Sequence, residues 1–135
     1  MRLERYLSRL VDTINSRHDL TIEEYELAHG VGGDASLIAR LRFPDGSLLD
    51  LAEFVYEEQT SSGRYRICKA SYRYHYQKVT GDVAFRYDDA PHHQTVSTFP
   101  HHKHVGNRVE AAEAPDLTDV LREIDVTVYG KQEEH

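Results

Sequence analysis

The chain has no tryptophan, one cysteine, four prolines and no long apolar run among its 135 residues. Each scarcity excludes something. With Cys68 alone, neither an internal disulfide nor a multi-cysteine zinc site can form. Without about 18 consecutive apolar residues no membrane-spanning helix is expected. Met1 to Tyr6 holds no apolar core and no small-residue cleavage site, so a secretory signal is not expected either, and the default location is cytoplasmic. Hydrophobic residues make up 39% of the chain. That suffices for one economical core and is too much for disorder, and the length suits a single domain.

What the chain has instead is tyrosine and histidine, nine of each. Its net charge of −7 argues against nucleic acid, but the distribution argues otherwise. From Ser62 to Arg108 there are eight Lys and Arg against three Asp, a balance of +5, which leaves −12 for the remainder. That segment also carries six of the histidines. Such polarity predicts one face that attracts anions, although charge that simply follows solvent exposure has the same look.

The apolar pattern sets the fold class. Leu3, Leu7, Leu10, Val11 and Ile14 form the stripe of an amphipathic helix. Thr21 to His29 suits either a first strand or a helix start. Leu37, Ala39, Leu41 and Phe43 alternate with polar residues as a one-sided strand, and Pro44-Asp45-Gly46-Ser47 reads as a tight hairpin turn. Leu49, Leu51 and Val55 continue the alternation against Asp50, Ala52, Phe54 and Tyr56. Tyr65 to Gln77 is a long strand, and Val83 to Asp88 follows after the turn at Gly81. Short connections pair neighbours antiparallel. Asp89 to Asn107 reads as a loop, returning at most as a short edge strand. Val109 to Ala114 reads as a connector. Pro115 opens a final helix with Leu117, Val120, Leu121 and Ile124 inward; Val126 to Tyr129 fits a helical end or a last strand. One-sided strands and one-sided helices need each other. The expected architecture is therefore α+β: residues 1–130 as a single domain, an antiparallel β-meander of about five strands covered on one face by the N- and C-terminal helices, with residues 131–135 a polar tail.

Four stretches carry a resemblance to a known family: Leu41-Arg42-Phe43 with Asp45-Gly46-Ser47; Tyr72 with Tyr74-His75-Tyr76-Gln77; Phe85-Arg86-Tyr87-Asp88 with Ala90-Pro91-His92-His93; and Thr98-Phe99-Pro100-His101-His102-Lys103-His104. Together they resemble the successive motifs of the TumE toxins of bacterial toxin–antitoxin systems. The resemblance implies a growth-inhibiting protein neutralised by an antitoxin of the helix-turn-helix type. One position departs from the pattern, with Asp89 where the family commonly has Asn.

The chemistry-bearing residues point to a metal-independent ribonuclease. Attack by a ribose 2′-hydroxyl needs a base and an acid and cations for the charge gathering on phosphorus. His75, His92, His102 and His104 are the candidate acid and base. Arg86 and Lys103 would stabilise the phosphate, Arg73 would bind it, and Asp88 would orient a histidine. Tyr74 and Tyr76 offer rings for base stacking or, equally, for the core. Adjacent pairs such as His92-His93 and His101-His102 cannot both enter one pocket from an extended chain. His18 and His29 read as surface residues, and Arg86 and Asp88 can form a simple ion pair. Two other classes stay open. His92, His102 and His104 with Asp88 have the composition of an open zinc site, although no established metal spacing is present and no cofactor is expected. Alternatively the basic window forms a protein interface that poisons a cellular complex without catalysis. RNA, the antitoxin and, through an exposed sheet edge, a second copy of the chain are the expected partners.

Overall fold

The computed structural model describes residues 1–130; the expected polar tail lies outside them. Two helices enclose seven strands in chain order: α1 (Leu3–Asn15), β1 (Thr21–His29), β2 (Asp34–Arg42), β3 (Leu48–Gln59), β4 (Tyr65–Gln77), β5 (Val83–Asp88), β6 (His102–Val105), β7 (Arg108–Ala111) and α2 (Leu117–Tyr129). The strands form one antiparallel sheet in the order β1 to β7, each paired with its neighbours in sequence. The α+β single domain is as expected. The strand count is corrected from about five to seven. The segment read as a connector pairs as β7 with β6, and Val105 opposite Arg108 closes a two-residue Gly106-Asn107 turn. Gly106 adopts φ 59° there, the left-handed conformation that such a turn demands. Four-residue strands are too short for alternation to show.

Thr21 to His29 resolves as a strand because β2 supplies its hydrogen bonds over the whole length. Val126 to Tyr129 belongs to the last turn of α2. Asp116 and Asp119 close a reciprocal capping box at the start of that helix, satisfying two otherwise unpaired amides.

Period-2 burial sorts the sheet into two faces. Leu37, Ala39, Leu41, Leu49, Leu51, Val55, Tyr72, Tyr74, Tyr76 and Phe85 pack into one core with Leu3, Leu7, Leu10 and Ile14 of α1 and Leu117, Val120, Leu121 and Ile124 of α2. Both helices thus cover the same face. Inside this layer sits Glu53, fully buried. Its carboxylate accepts hydrogen bonds from the Tyr6 and Tyr74 hydroxyls and lies 3.9 Å from Lys69 Nζ. Lys69 in turn donates to Tyr74 Oη at 3.0 Å and to the Pro115 carbonyl at 2.7 Å. A buried carboxylate is tolerable only when so supplied with donors. Burial, and after it Glu53, pushes both phenols well above their usual range, while burial pulls Lys69 down. Among the described residues no helix lies on the opposite face of the sheet.

Candidate active site

Alternation on β5 sends Phe85 and Tyr87 toward the helices and Arg86 and Asp88 to the uncovered face. On β6 the same rule sends Lys103 inward and His102 and His104 outward. Register then sets neighbours. His75, Arg86 and His104 lie directly opposite one another across β4, β5 and β6, and Arg73, Asp88 and His102 form the next row.

Asp88 is the hub of the cluster and is buried. One carboxylate oxygen lies 2.8 Å from His102 Nε2 and accepts the Ala90 amide at 3.0 Å. The other lies 2.7 Å from Arg86 Nε. That N–H is nevertheless not aimed at an acceptor, so the contact is an ion pair without a formed hydrogen bond. His104 Nε2 lies 3.2 Å from Arg86 Nη2 and 3.1 Å from His102 Nε2. His102 Nδ1 lies 2.8 Å from the Pro100 carbonyl.

Donor logic orders this network. A guanidinium only donates, so His104 Nε2 is the acceptor. A carbonyl only accepts, so His102 Nδ1 donates to Pro100. His102 Nε2 faces a carboxylate and an accepting imidazole and must donate as well. Acceptors thus surround both ring nitrogens of His102. Arg86 and Asp88 form the ion pair at the centre of this patch. Burial, and then Arg86, hold both His75 and His104 below the ordinary imidazole value, which keeps their lone pairs available at neutral pH.

The loop between β5 and β6 folds back over the patch through successive tight turns. It brings His93 against the cluster, with ring centroids 4.8 Å from His102 and 5.2 Å from His104. Asp89 Oδ1 ties the loop to the sheet by accepting the Tyr72 amide at 3.2 Å. An Asn oxygen would accept that bond equally, so the departure from the family pattern keeps this contact. Tyr72 and His101 stack and share a 3.0 Å hydrogen bond between Oη and Nδ1.

Six of the residues expected at the site share the uncovered face: Arg73, His75, Arg86, Asp88, His102 and His104. Four others do not join them. His92 is exposed, and its neighbour His93 occupies the place expected for it. Nothing in the sequence marks which of an adjacent pair an irregular loop will turn inward. Tyr74 and Tyr76 are fully buried against the helices and have no face to offer a base. Lys103 points to the helix side, 2.7 Å from Glu123 of α2, so it is a packing residue. The alternation that joins His102 to His104 already placed Lys103 opposite.

His93, His102 and His104 bring ligand atoms within 4.8 Å of one another, and with Asp88 they could hold a divalent ion. A cation there would have to displace both the Arg86 N–H from His104 and the proton from His102 Nε2. The donor pattern favours a proton at this position.

A family model described as toxin TumE matches residues 8–128. The chain belongs to the TumE toxin family. No curated protein and no solved structure matches it. The match runs from α1 to α2, so the open face and its histidines lie inside the matched stretch. As a TumE-family toxin the chain has an antitoxin as its implied partner. Among the described residues no helix is long and apolar enough to cross a membrane.

Proposed function

We propose that this toxin acts as a metal-independent endoribonuclease. One observation carries the reading: two imidazoles, His75 and His104, flank a guanidinium, Arg86, in a single row across three strands. Neighbouring strands set their Cα atoms about 5 Å apart at each step, so the two rings bracket a space on the scale of one phosphodiester.

The assigned roles follow from hydrogen bonding. No hydrogen bond holds the His75 ring among the described residues, and it serves as base for the 2′-hydroxyl. The 2′-oxygen then bonds to phosphorus and the 5′-oxygen leaves. A protonated His104, freed as Arg86 turns to the phosphate, gives that oxygen its proton. Arg86 stabilises the added charge on the phosphoryl oxygens. Buried His102 and Asp88 are positioning residues. The products are a 2′,3′-cyclic phosphate and a 5′-hydroxyl.

The family resemblance supports a helix-turn-helix antitoxin. An acidic segment of it laid over Arg73 and Arg86 would block substrate. The outer edge of β1 is exposed and offers a second copy a strand to pair with.

End-mapping of RNA after brief expression tests the reading. Cyclic-phosphate ends are expected, with losses of about 10²–10⁴-fold for His75→Ala and His104→Ala. Folded, antitoxin-binding variants that stay fully toxic would end it. The His93–His102–His104 triangle supports a second reading, a zinc hydrolase. Stoichiometric zinc in tag-free protein, with cleavage abolished by chelation, would favour that one.

A further inference from the structure

The uncovered face continues past the histidines along β2, β3 and β4. Next to the cluster lies a concavity of about 410 Å³ bordered by Arg40, Asp50, Arg73, His75 and Arg86. Further along β3 lies a second one of about 520 Å³, walled by the β1–β2 turn and lined by His29, Ser36, Phe54 and Tyr56. Phe54 is 43% exposed and Tyr56 40%. Both rings lie on this face because they alternate with buried Glu53 and Val55. Phe54 is four residues from Asp50, the partner of His75, a distance of about 13 Å along the strand.

Large apolar rings beside Arg40, Arg73 and Arg86, on a sheet face that carries no helix among the described residues, match the chemistry of single-stranded nucleic acid. Bases stack on the rings and phosphates meet the guanidiniums. The charges on this face are mostly matched. Arg40 pairs with Asp50 at 2.7 Å and sits 3.9 Å from Glu24, and Arg86 pairs with Asp88. Arg73 has no carboxylate partner among the described residues. Stacking rather than charge must then supply most of the binding.

We propose that Phe54 and Tyr56 form a stacking platform for unpaired bases of single-stranded RNA, about 13 Å along the strands and about 10 Å across them from the scissile phosphate at Arg86. The proposal rests on the ribonuclease reading and names where its substrate lies.

The test uses the full chain with a fluorescent 2′-O-methyl oligonucleotide, which lacks the attacking hydroxyl and reports binding without cleavage. Phe54→Ala and Tyr56→Ala are each expected to weaken binding about tenfold or more, and Phe54→Tyr to restore it. The salt slope is expected to be shallow, about −1 in log K against log salt, since only one or two phosphates meet an unmatched cation. In a chain without tryptophan, Phe54→Trp supplies a single reporter whose emission should fall as a base stacks on it. Unchanged affinity in both alanine variants, in protein that still cleaves RNA, would overturn the platform and leave the ribonuclease reading standing. Failure of the unaltered chain to bind or cleave any RNA would sink both. Loss of antitoxin binding with RNA affinity intact would make the rings a protein interface and would likewise overturn the proposal.

Discussion

Asp88→Asn is the most demanding test of the cluster. The side chain meets Arg86, His102 and the Ala90 amide at once. The amide of Asn can still accept from one side, but its NH2 then faces a donor on the other, and Arg86 loses its counter-charge. Breaking a fully buried ion pair costs about 3–5 kcal/mol. The Arg86 side chain is 38% exposed and can swing into water, so the cost here is reduced to about 2–3 kcal/mol. For a domain of this length that is a fall in Tm of roughly 5–15 °C. Urea unfolding followed by circular dichroism would measure it. The decisive experiment is a double-mutant cycle with His102→Gln. If the two side chains form one network, the cycle gives a coupling of more than about 1 kcal/mol. Additive losses, or a change under about 0.5 kcal/mol for Asp88→Asn alone, would refute the idea that this carboxylate organises the histidines.

Other outcomes follow from the same geometry. His75 and His104 both titrate below 6.5, so kcat/KM for RNA cleavage should peak on the acid side of that value and decline above it, as the protonated acid is lost. A flat profile from pH 5 to 8, a window about the ordinary imidazole value, would contradict it. These two groups bind protons more readily unfolded than folded, so below 6.5 they also make stability fall as pH drops, which unfolding at a series of pH values would show. Tyr74→Phe removes a donor to buried Glu53 and should cost about 1–3 kcal/mol with cleavage unchanged; an activity loss in folded protein would return that ring to the site. Lys103→Ala should cost about 1 kcal/mol through its pair with Glu123 and leave cleavage rates within twofold.

The helices and the central strands were legible because their apolar residues recur at 3.6 and 2.0. Leu3, Leu7, Leu10 and Ile14 could only be one helical stripe, and Leu37, Ala39 and Leu41 one strand face. The strand pair β6–β7 was not legible. Four residues carry too few alternations, and the histidines of β6 are neither plainly apolar nor plainly polar. The site was half legible for the same reason. Arg86 and Asp88 follow from the parity of β5, and parity also separates Lys103 from its histidine neighbours. His93 came from a loop, where no period exists to read.

The sequence by itself determined the face on which each strand residue lies, and through its motifs the family, because side-chain parity and short-range spacing are properties of the local chain. Only the tertiary structure decided that His75, Arg86 and His104 stand in one row and that Asp88 joins Arg86 to His102. Register between strands far apart in sequence depends on turns, bulges and the burial of both faces together, and no single segment contains that information.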